Sequence, residues 1–237
     1  MSRFLWMSRK GNACASNRDR GGFVQGLGFD FGVVVDASQQ GVSGEALAAD
    51  LVRVVLATAI EGGAPDAAHV VAALRAFHAQ SRFQYVCETA SYALVLRRHD
   101  GSAWALVCGD CRVGRLCEAG FDGDVTWLSP VHTLANAFGE SFELQHAKSA
   151  QRHTLTRCWN ARRFERPEFV LLDGAASALC LATDGFWLEH RSLGGSCGEL
   201  DDDASCLVMT DSQAADSEAN GCEPLVASDC SNFLVLR

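Results

Sequence analysis

The chain has 237 residues, 48% hydrophobic and 21% charged, and its 29 Asp and Glu outnumber 20 Lys and Arg for a formal net charge of -9. A chain of this length buries roughly 70–75% of its unfolded surface without staples, and the composition excludes a disordered chain, a collagen and a coiled coil. The acidic excess offers no sequence-independent attraction to nucleic-acid backbones or anionic membranes, so neither is expected as a partner.

No apolar run reaches the 18 residues of a membrane span; Val33-Val34-Val35 and Val54-Val55-Leu56-Ala57 are typical of what is present. Residues 1–10 are basic and lack a long apolar stretch or a cleavage signature, so a cytoplasmic location is expected. The 11 cysteines are odd in number, which fits free thiols in a reducing compartment better than a disulfide framework. Cys108-Gly-Asp-Cys111 has redox or zinc spacing. Its flanks read as strands and no second pair follows, so the spacing is read as coincidence.

No repeat or Pro-rich linker divides the chain, and residues 1–237 are read as one domain. Phe23–Leu27 and Phe29–Asp36 read as strands around Gly28, the second nearly continuous in apolar residues and so buried on both faces. Ser43–Glu61 carries Leu47, Leu51, Val54, Val55 and Thr58 at helical spacing, with Ser43 as N-cap and Gly62-Gly63 as terminator. Pro65–Ser81 reads as a second helix with Val70, Val71, Leu74 and Phe77 on one face and Pro65 in its first turn. The period then changes. Ser91–Arg98, Ala103–Cys108, Val113–Glu118 and Val125–Leu128 read as a meander joined by turns at 99–102 and 122–123. Leu134–Phe138 reads as a short helix, and Phe169–Leu172 with Ala178–Thr183 as a strand pair. Ser205–Met209 and Phe233–Leu236 are the last strands, and the polar segment 210–223 reads as a mobile loop. Two antiparallel sheets packed together with helices outside account for this order.

Acidic residues recur at strand ends. Asp36 ends one apolar strand and Asp184 another, Asp201, Asp202 and Asp203 precede a third, and Asp110 lies in a turn between two more. Desolvating a carboxylate is costly unless a cation or donor compensates it. Oxygen ligands converging from several strands suit a hard divalent cation, although for any one aspartate a strand end is simply where solvent begins.

Five local patterns occur in a telling order: Asn17-Arg18-Asp19, Val35-Asp36-Ala37, Gly109-Asp110-Cys111-Arg112, Thr183-Asp184-Gly185 and Asp202-Asp203-Ala204-Ser205. They resemble the successive motifs of the metal-dependent protein phosphatases of type 2C, and Gly44–Ala49 resembles the helix after the first metal motif in the bacterial branch. The resemblance covers about residues 12–209. It implies an α+β fold, a four-layer α-β-β-α sandwich of two antiparallel sheets with helices on both outer faces. It also implies hydrolysis of phosphoserine and phosphothreonine in proteins, opposing a serine/threonine kinase in signalling, with two Mn²⁺ or Mg²⁺ ions. Asp36 would bridge both ions, the Ala37 carbonyl would bind one, and Asp184 and Asp202 would complete the set. Asp19 would hold a metal-bound water, and Asp110 with Asp184 would hold a third, weaker ion. In such a site the two cations acidify a bridging water to the attacking hydroxide and neutralise charge on the phosphoryl oxygens.

Several positions depart from the family pattern. Cys14 stands where the family has the arginine that clamps phosphate, and a thiol cannot replace a bidentate fork. Arg9, Arg18 and Arg20 are the nearby arginines, and Arg18 occupies the family's Glu position. Ala37 replaces a glycine and Ser38 a histidine. Asp229-Cys230-Ser231-Asn232 also precedes a strand, 45 positions beyond Asp184 rather than the 18 of Asp202, so Asp229 is the alternative last ligand. The retained acidic set favours an enzyme. Cys14 and the altered Asp36–Gln39 turn favour a binding module that keeps the fold without turnover. His132, His146, His153 and His190 read as structural or surface residues, and Trp104, Trp127, Trp159 and Trp187 as core. Arg162–Arg166 reads as a solvated face. Gly26-x-Gly28 lacks the third glycine of a dinucleotide site.

Overall fold

The computed structural model describes residues 3–61, 63–117, 121, 123–137, 142–172, 178–196, 198–210 and 230–236. Of the loop expected at 210–223, Thr210 instead ends a strand, pairing across to Ala178 and Arg3, and the rest lies outside the described residues, as do Asp122, Phe138, Gly62 and Asp229.

The strands are β1 (Arg3–Arg9), β2 (Arg20–Gly26), β3 (Phe29–Ala37), β4 (Thr89–Arg98), β5 (Ala103–Cys108), β6 (Arg112–Leu116), β7 (Val125–Trp127), β8 (Trp159–Asn160), β9 (Glu168–Leu172), β10 (Ala178–Ala182), β11 (Ala204–Thr210) and β12 (Phe233–Leu236). One sheet runs β1-β11-β10-β6-β7; the other runs β12-β2-β3-β4-β5-β9, with β8 beside β4. All pairings are antiparallel except β12 on β2.

The apolar strands are buried on both faces because each face has its own partner layer. On β3, Phe31, Val33 and Val35 face one core while Val34 faces another; on β4, Tyr92, Leu94 and Leu96 face the first while Ala93 and Val95 face the second. The first core lies under α1 (Gly44–Glu61) and α2 (Ala67–Ser81), which supply Leu47, Leu51, Val55, Val70 and Leu74. The second lies between the sheets, where β10 and β11 add Leu179, Leu181, Leu207 and Met209. Their alternate residues, Cys180, Ala182, Cys206 and Val208, face outward onto Phe186, Trp187 and Leu188 of a π-helix, Gly185–Ser192. Three apolar layers between four structural layers make the sandwich. Gly32 of β3 lets the sheets approach: a Cβ there would stand 2.7 Å from Met209 Sδ.

Several local readings are corrected. The chain does not continue as a meander after β5: it crosses to the other sheet through Gly109-Asp110, so β5 pairs with β9 while β6 pairs with β10 and β7. Gly109 has φ +100°, and a Cβ there would stand 2.1 Å from Ser91 Oγ, so this crossover needs glycine. Nor do β9 and β10 pair with each other, since they lie in different sheets. Asp66, not Pro65, starts α2, because its Oδ1 accepts the His69 N–H at 2.7 Å; Pro65 precedes the cap. Strand β1 is absent from the sequence reading, although Phe4-Leu5-Trp6-Met7 is an apolar run of strand length between Arg3 and Ser8. The outer face of the β1-side sheet carries the π-helix and a few short turns, including α3 (Leu144–Ala147) and a 3₁₀ turn at Leu134–Asn136. Trp127 is half-buried, unlike the buried Trp104, Trp159 and Trp187. Cys14, Cys87, Cys117, Cys158, Cys180 and Cys206 are free thiols, and so are Cys108 and Cys111. No described helix is long and apolar enough to cross a membrane.

At one end of the sandwich Asp30 is fully buried. It meets Arg97, its register partner on β4, at 2.8 Å, and Arg97 also donates to the Thr210 carbonyl on the other sheet at 3.3 Å. Removing one partner of a buried pair strands the other's charge. Arg97→Met is expected to cost about 3–5 kcal/mol, read as a fall in Tm, and the double variant Arg97→Met/Asp30→Leu is expected to lose less than the single one.

Candidate metal and phosphate site

The other end of the sandwich gathers the acidic motifs. There β3 and β10 finish, β2, β4 and β11 begin, and β5 hands over to β6. Asp36 lies opposite Ser91 in the β3–β4 register, and Ser91 Oγ donates to Asp110 Oδ1 at 2.6 Å. The Asp110 carbonyl accepts the Trp187 indole N–H at 2.7 Å, so the π-helix that begins after Asp184 is tied to the turn carrying Asp110. Thr183 Oγ1, next to Asp184, donates to Asp19 Oδ2 at 2.9 Å. Asp202 lies beside the π-helix through its backbone N–H, which donates to Glu189 Oε2 at 3.3 Å, so five aspartates from five segments stand at this end of the sandwich.

The electrostatics agree with this convergence. Burial, then the charges of Asp19, Asp184, Asp202 and Asp110, push the Asp36 carboxyl well above the usual range. Asp184 is raised well above it by burial and by Asp110, Asp202 and Asp19, with Arg152 opposing. Asp19 is raised well above it by burial and Asp203, against lowering hydrogen bonds from Ser205 and Thr183. Asp110 and Asp202 are raised chiefly by burial. Like charges packed out of water cannot all ionise unless something positive joins them.

Asp19 is fully buried and its Oδ1 has no hydrogen-bond partner, an orphaned acceptor within an all-oxygen donor set. That set suits a hard divalent cation. Among the described residues no group of three or more His, Cys, Asp or Glu side chains meets the geometry of a metal cage. The cluster stands as a ring of acids rather than a closed coordination shell. Ala37 ends β3 in extended pairing with Ala90, so the alanine sits in a conformation open to any residue.

The supports were mostly not anticipated. Asp203 is buried and accepts from the Gly11 and Arg18 N–H groups at 2.9 and 2.8 Å and from Gln39 Nε2 at 3.0 Å, locking three loops beside Asp202. Ser8, Asn17, Ser205 and Asn232 form a buried network, in which Asn232 Nδ2 reaches Ser8 Oγ at 2.6 Å and the Asp19 carbonyl at 3.0 Å. The motif letters next to Asp184 and Asp202 were the available signal for Thr183 and Asp203; no spacing pointed to Asn232. His132 accepts the Gly109 N–H at Nδ1 (3.2 Å) and faces Glu168 at 3.2 Å through Nε2, holding the Gly109-Asp110 crossover. Burial lowers its pKa, so a neutral ring with the proton on Nε2 fits both contacts.

The nearby arginines are engaged elsewhere. Arg18 donates to the Ser38 and Gly41 carbonyls at 2.6 and 2.8 Å, Arg20 pairs with Glu45, and Arg9 donates to Gly198 O and Asn12 Oδ1. Arg112 lies between the rings of Trp127 and Trp187, its guanidinium 5.1 and 4.9 Å from their centroids. Cys14 is buried, its Sγ 3.6 Å from Asp202 Oδ1, and burial together with Asp203 and Asp202 pushes its pKa up to about 12. It is a neutral thiol at ordinary pH. Asp229, the alternative to Asp202, lies outside the described residues.

Neither a scan of protein-family models nor a search of curated proteins finds a match to this chain. Solved structures do match. The PPM Ser-Thr phosphatase MsPP of Mycobacterium smegmatis, solved with cacodylate, aligns over 88% of this chain and 97% of its own at TM-score 0.70 and 16% identity. The serine/threonine phosphatase Stp1 of Staphylococcus aureus aligns over 89% and 95% at TM-score 0.68 and 13% identity. RsbX, solved with magnesium, aligns over 88% and 94% at TM-score 0.56 and 11% identity.

The raised carboxyl pKa values set the sign of a pH effect. A carboxyl whose folded pKa exceeds its unfolded value near 3.9 holds its proton more tightly when folded, so stability falls as pH rises from about 4 through the raised value. In EDTA, Asp36→Asn removes one such charge. The variant is expected to melt above the unsubstituted chain at pH 8, with the gap closing toward pH 4, as measured by differential scanning calorimetry.

Proposed function

We propose that this chain, whose fold is that of the PPM serine/threonine phosphatases, is a metal-dependent phosphoprotein phosphatase. The observation that carries the reading is the convergence of buried Asp19 with half-buried Asp36, Asp110, Asp184 and Asp202, in which repulsion and desolvation act together. The low identities of the structural relatives establish the fold; the acidic ring supports the activity.

In this reading Asp36, Asp184, Asp202 and the Ala37 carbonyl hold two Mn²⁺ or Mg²⁺ ions, and Asp110 with Asp184 holds a third. Bound there, such ions supply Lewis acidity and an acidified water at neutral pH. The chain's own residues do the positioning. Thr183 fixes Asp19 through Oδ2, which leaves the buried Oδ1 free to accept from a water. Ser91 orients Asp110, and Asp203 ties the Gly11 and Arg18 backbone beside Asp202. Substrates are phosphoserine and phosphothreonine in proteins, opposing a serine/threonine kinase in bacterial signalling. The free thiols support a cytoplasmic setting.

One observation favours a second reading. Cys14 supplies a neutral thiol where phosphate needs a cation, which suits a binding module without turnover. Turnover separates the two. Hydrolysis of p-nitrophenyl phosphate is expected with Mn²⁺ and lost in EDTA, and Asp36→Asn or Asp184→Asn is expected to lower kcat/KM by about 10²–10³-fold. Mn²⁺ at a hundred times its Kd is expected to add about 2.7 kcal/mol of stability. A rise in Tm without turnover selects the binding module, and activity undiminished in EDTA rejects the metal mechanism.

A further inference from the structure

Arg152 lies on the 3₁₀ turn Ala150–His153, which Ser149 caps by accepting the Gln151 N–H at 3.2 Å. Its side chain is 15% exposed. One guanidinium nitrogen, Nη2, stands 3.6 Å from Glu189 Oε1, while Glu189 Oε2 accepts the Asp202 N–H at 3.3 Å. Arg152 is thus one side chain removed from the acidic ring. Its other nitrogen, Nη1, is buried and has no hydrogen-bond partner. A guanidinium N–H withdrawn from water without an acceptor is costly to the fold, and it fits a planar oxyanion edge.

Building on the phosphatase reading, we infer that Arg152 anchors the phosphoryl group of the substrate, supplying from the 150–153 turn the cation that Cys14 does not supply. Three further observations support this. Arg152 is a leading positive charge acting on Asp110, Asp184 and Asp202. Arg18 and Arg20 are spent on backbone carbonyls and Glu45, and Arg112 is held between two indoles. Arg9 also has a buried unpartnered Nη1, but it is not among the leading charges on any aspartate of the ring. Glu189 is the positioning residue: it holds Nη2 and leaves Nη1 for the ligand. A phosphate monoester dianion offers the paired oxygens that a guanidinium fork recognises.

The test uses the full chain loaded with Mn²⁺ and inorganic phosphate as the probe, by isothermal titration calorimetry. Mn²⁺ affinity is measured first for the unsubstituted chain, Arg152→Gln and Arg152→Lys, with circular dichroism as the check on folding. Mn²⁺ is expected to bind Arg152→Gln as tightly as the unsubstituted chain or more tightly, because a repelling charge is gone. Phosphate affinity is expected to fall about tenfold or more in Arg152→Gln and to recover in part in Arg152→Lys. A merely structural arginine would instead weaken Mn²⁺ binding and leave phosphate binding at saturating Mn²⁺ unchanged. Phosphate bound as tightly by Arg152→Gln overturns the assignment and leaves the phosphatase reading standing. An unsubstituted chain that takes no Mn²⁺ overturns both. Should Arg152→Gln fail to fold, Arg152→Lys decides: it keeps the charge and loses the fork, so phosphate affinity lower by about threefold or more supports the assignment and no change rejects it.

Discussion

Five aspartates bring like charge to one end of the sandwich, Asp19 buried and Asp36, Asp110, Asp184 and Asp202 half-buried. Solvating a carboxylate and separating it from its neighbours are both favourable, and this arrangement restricts both for Asp36 and Asp184. The rest of the molecule is organised around that conflict. The strand ends that carry the acids are aligned by register, and the Gly109 crossover passes Ser91 at close quarters. Backbone N–H groups and hydroxyls, not salt bridges, set the geometry of Asp19, Asp110 and Asp203. Neutral donors of this kind orient an oxygen without cancelling its charge, so the field of the ring stays available to a cation.

The opposite end of the sandwich solves the same problem differently. There Asp30 is fully buried, and Arg97 lies beside it while a second sheet supplies a carbonyl to the same guanidinium. A carboxylate matched by its own arginine is a structural element. A set of carboxylates left largely unmatched in one place is a demand for a ligand. The contrast within one chain separates the two roles more firmly than burial alone.

Much of this was legible in the sequence, and the reasons are physical. Continuous apolar runs such as Phe31–Val35 can only be strands covered on both faces, and the helical spacing of Leu47, Leu51 and Val55 has one solution. The motif aspartates could be found because each closes or precedes such a strand. Partners across the sheets were not legible. That β6 leaves β5 for the other sheet depends on one glycine's φ, and periodicity is blind to it. Strand β1 carries only four consecutive apolar residues, Phe4 to Met7, before Ser8 joins the polar network, and its pairing with β11 is set about 200 positions away. Arg152 and Asn232 act through contacts made across 37 and 213 positions of chain, which no local pattern encodes.

The long reach of Asn232 has a consequence for synthesis. All five acids lie before residue 211, yet the amide that grips the Asp19 carbonyl belongs to the turn leading into β12, and β12 lies parallel against β2, the strand that follows Asp19. A nascent chain can therefore expose its complete set of acids while the first strands still lack their edge. The pocket would mature late during translation, after the ribosome has released the segment that clasps its oldest residue.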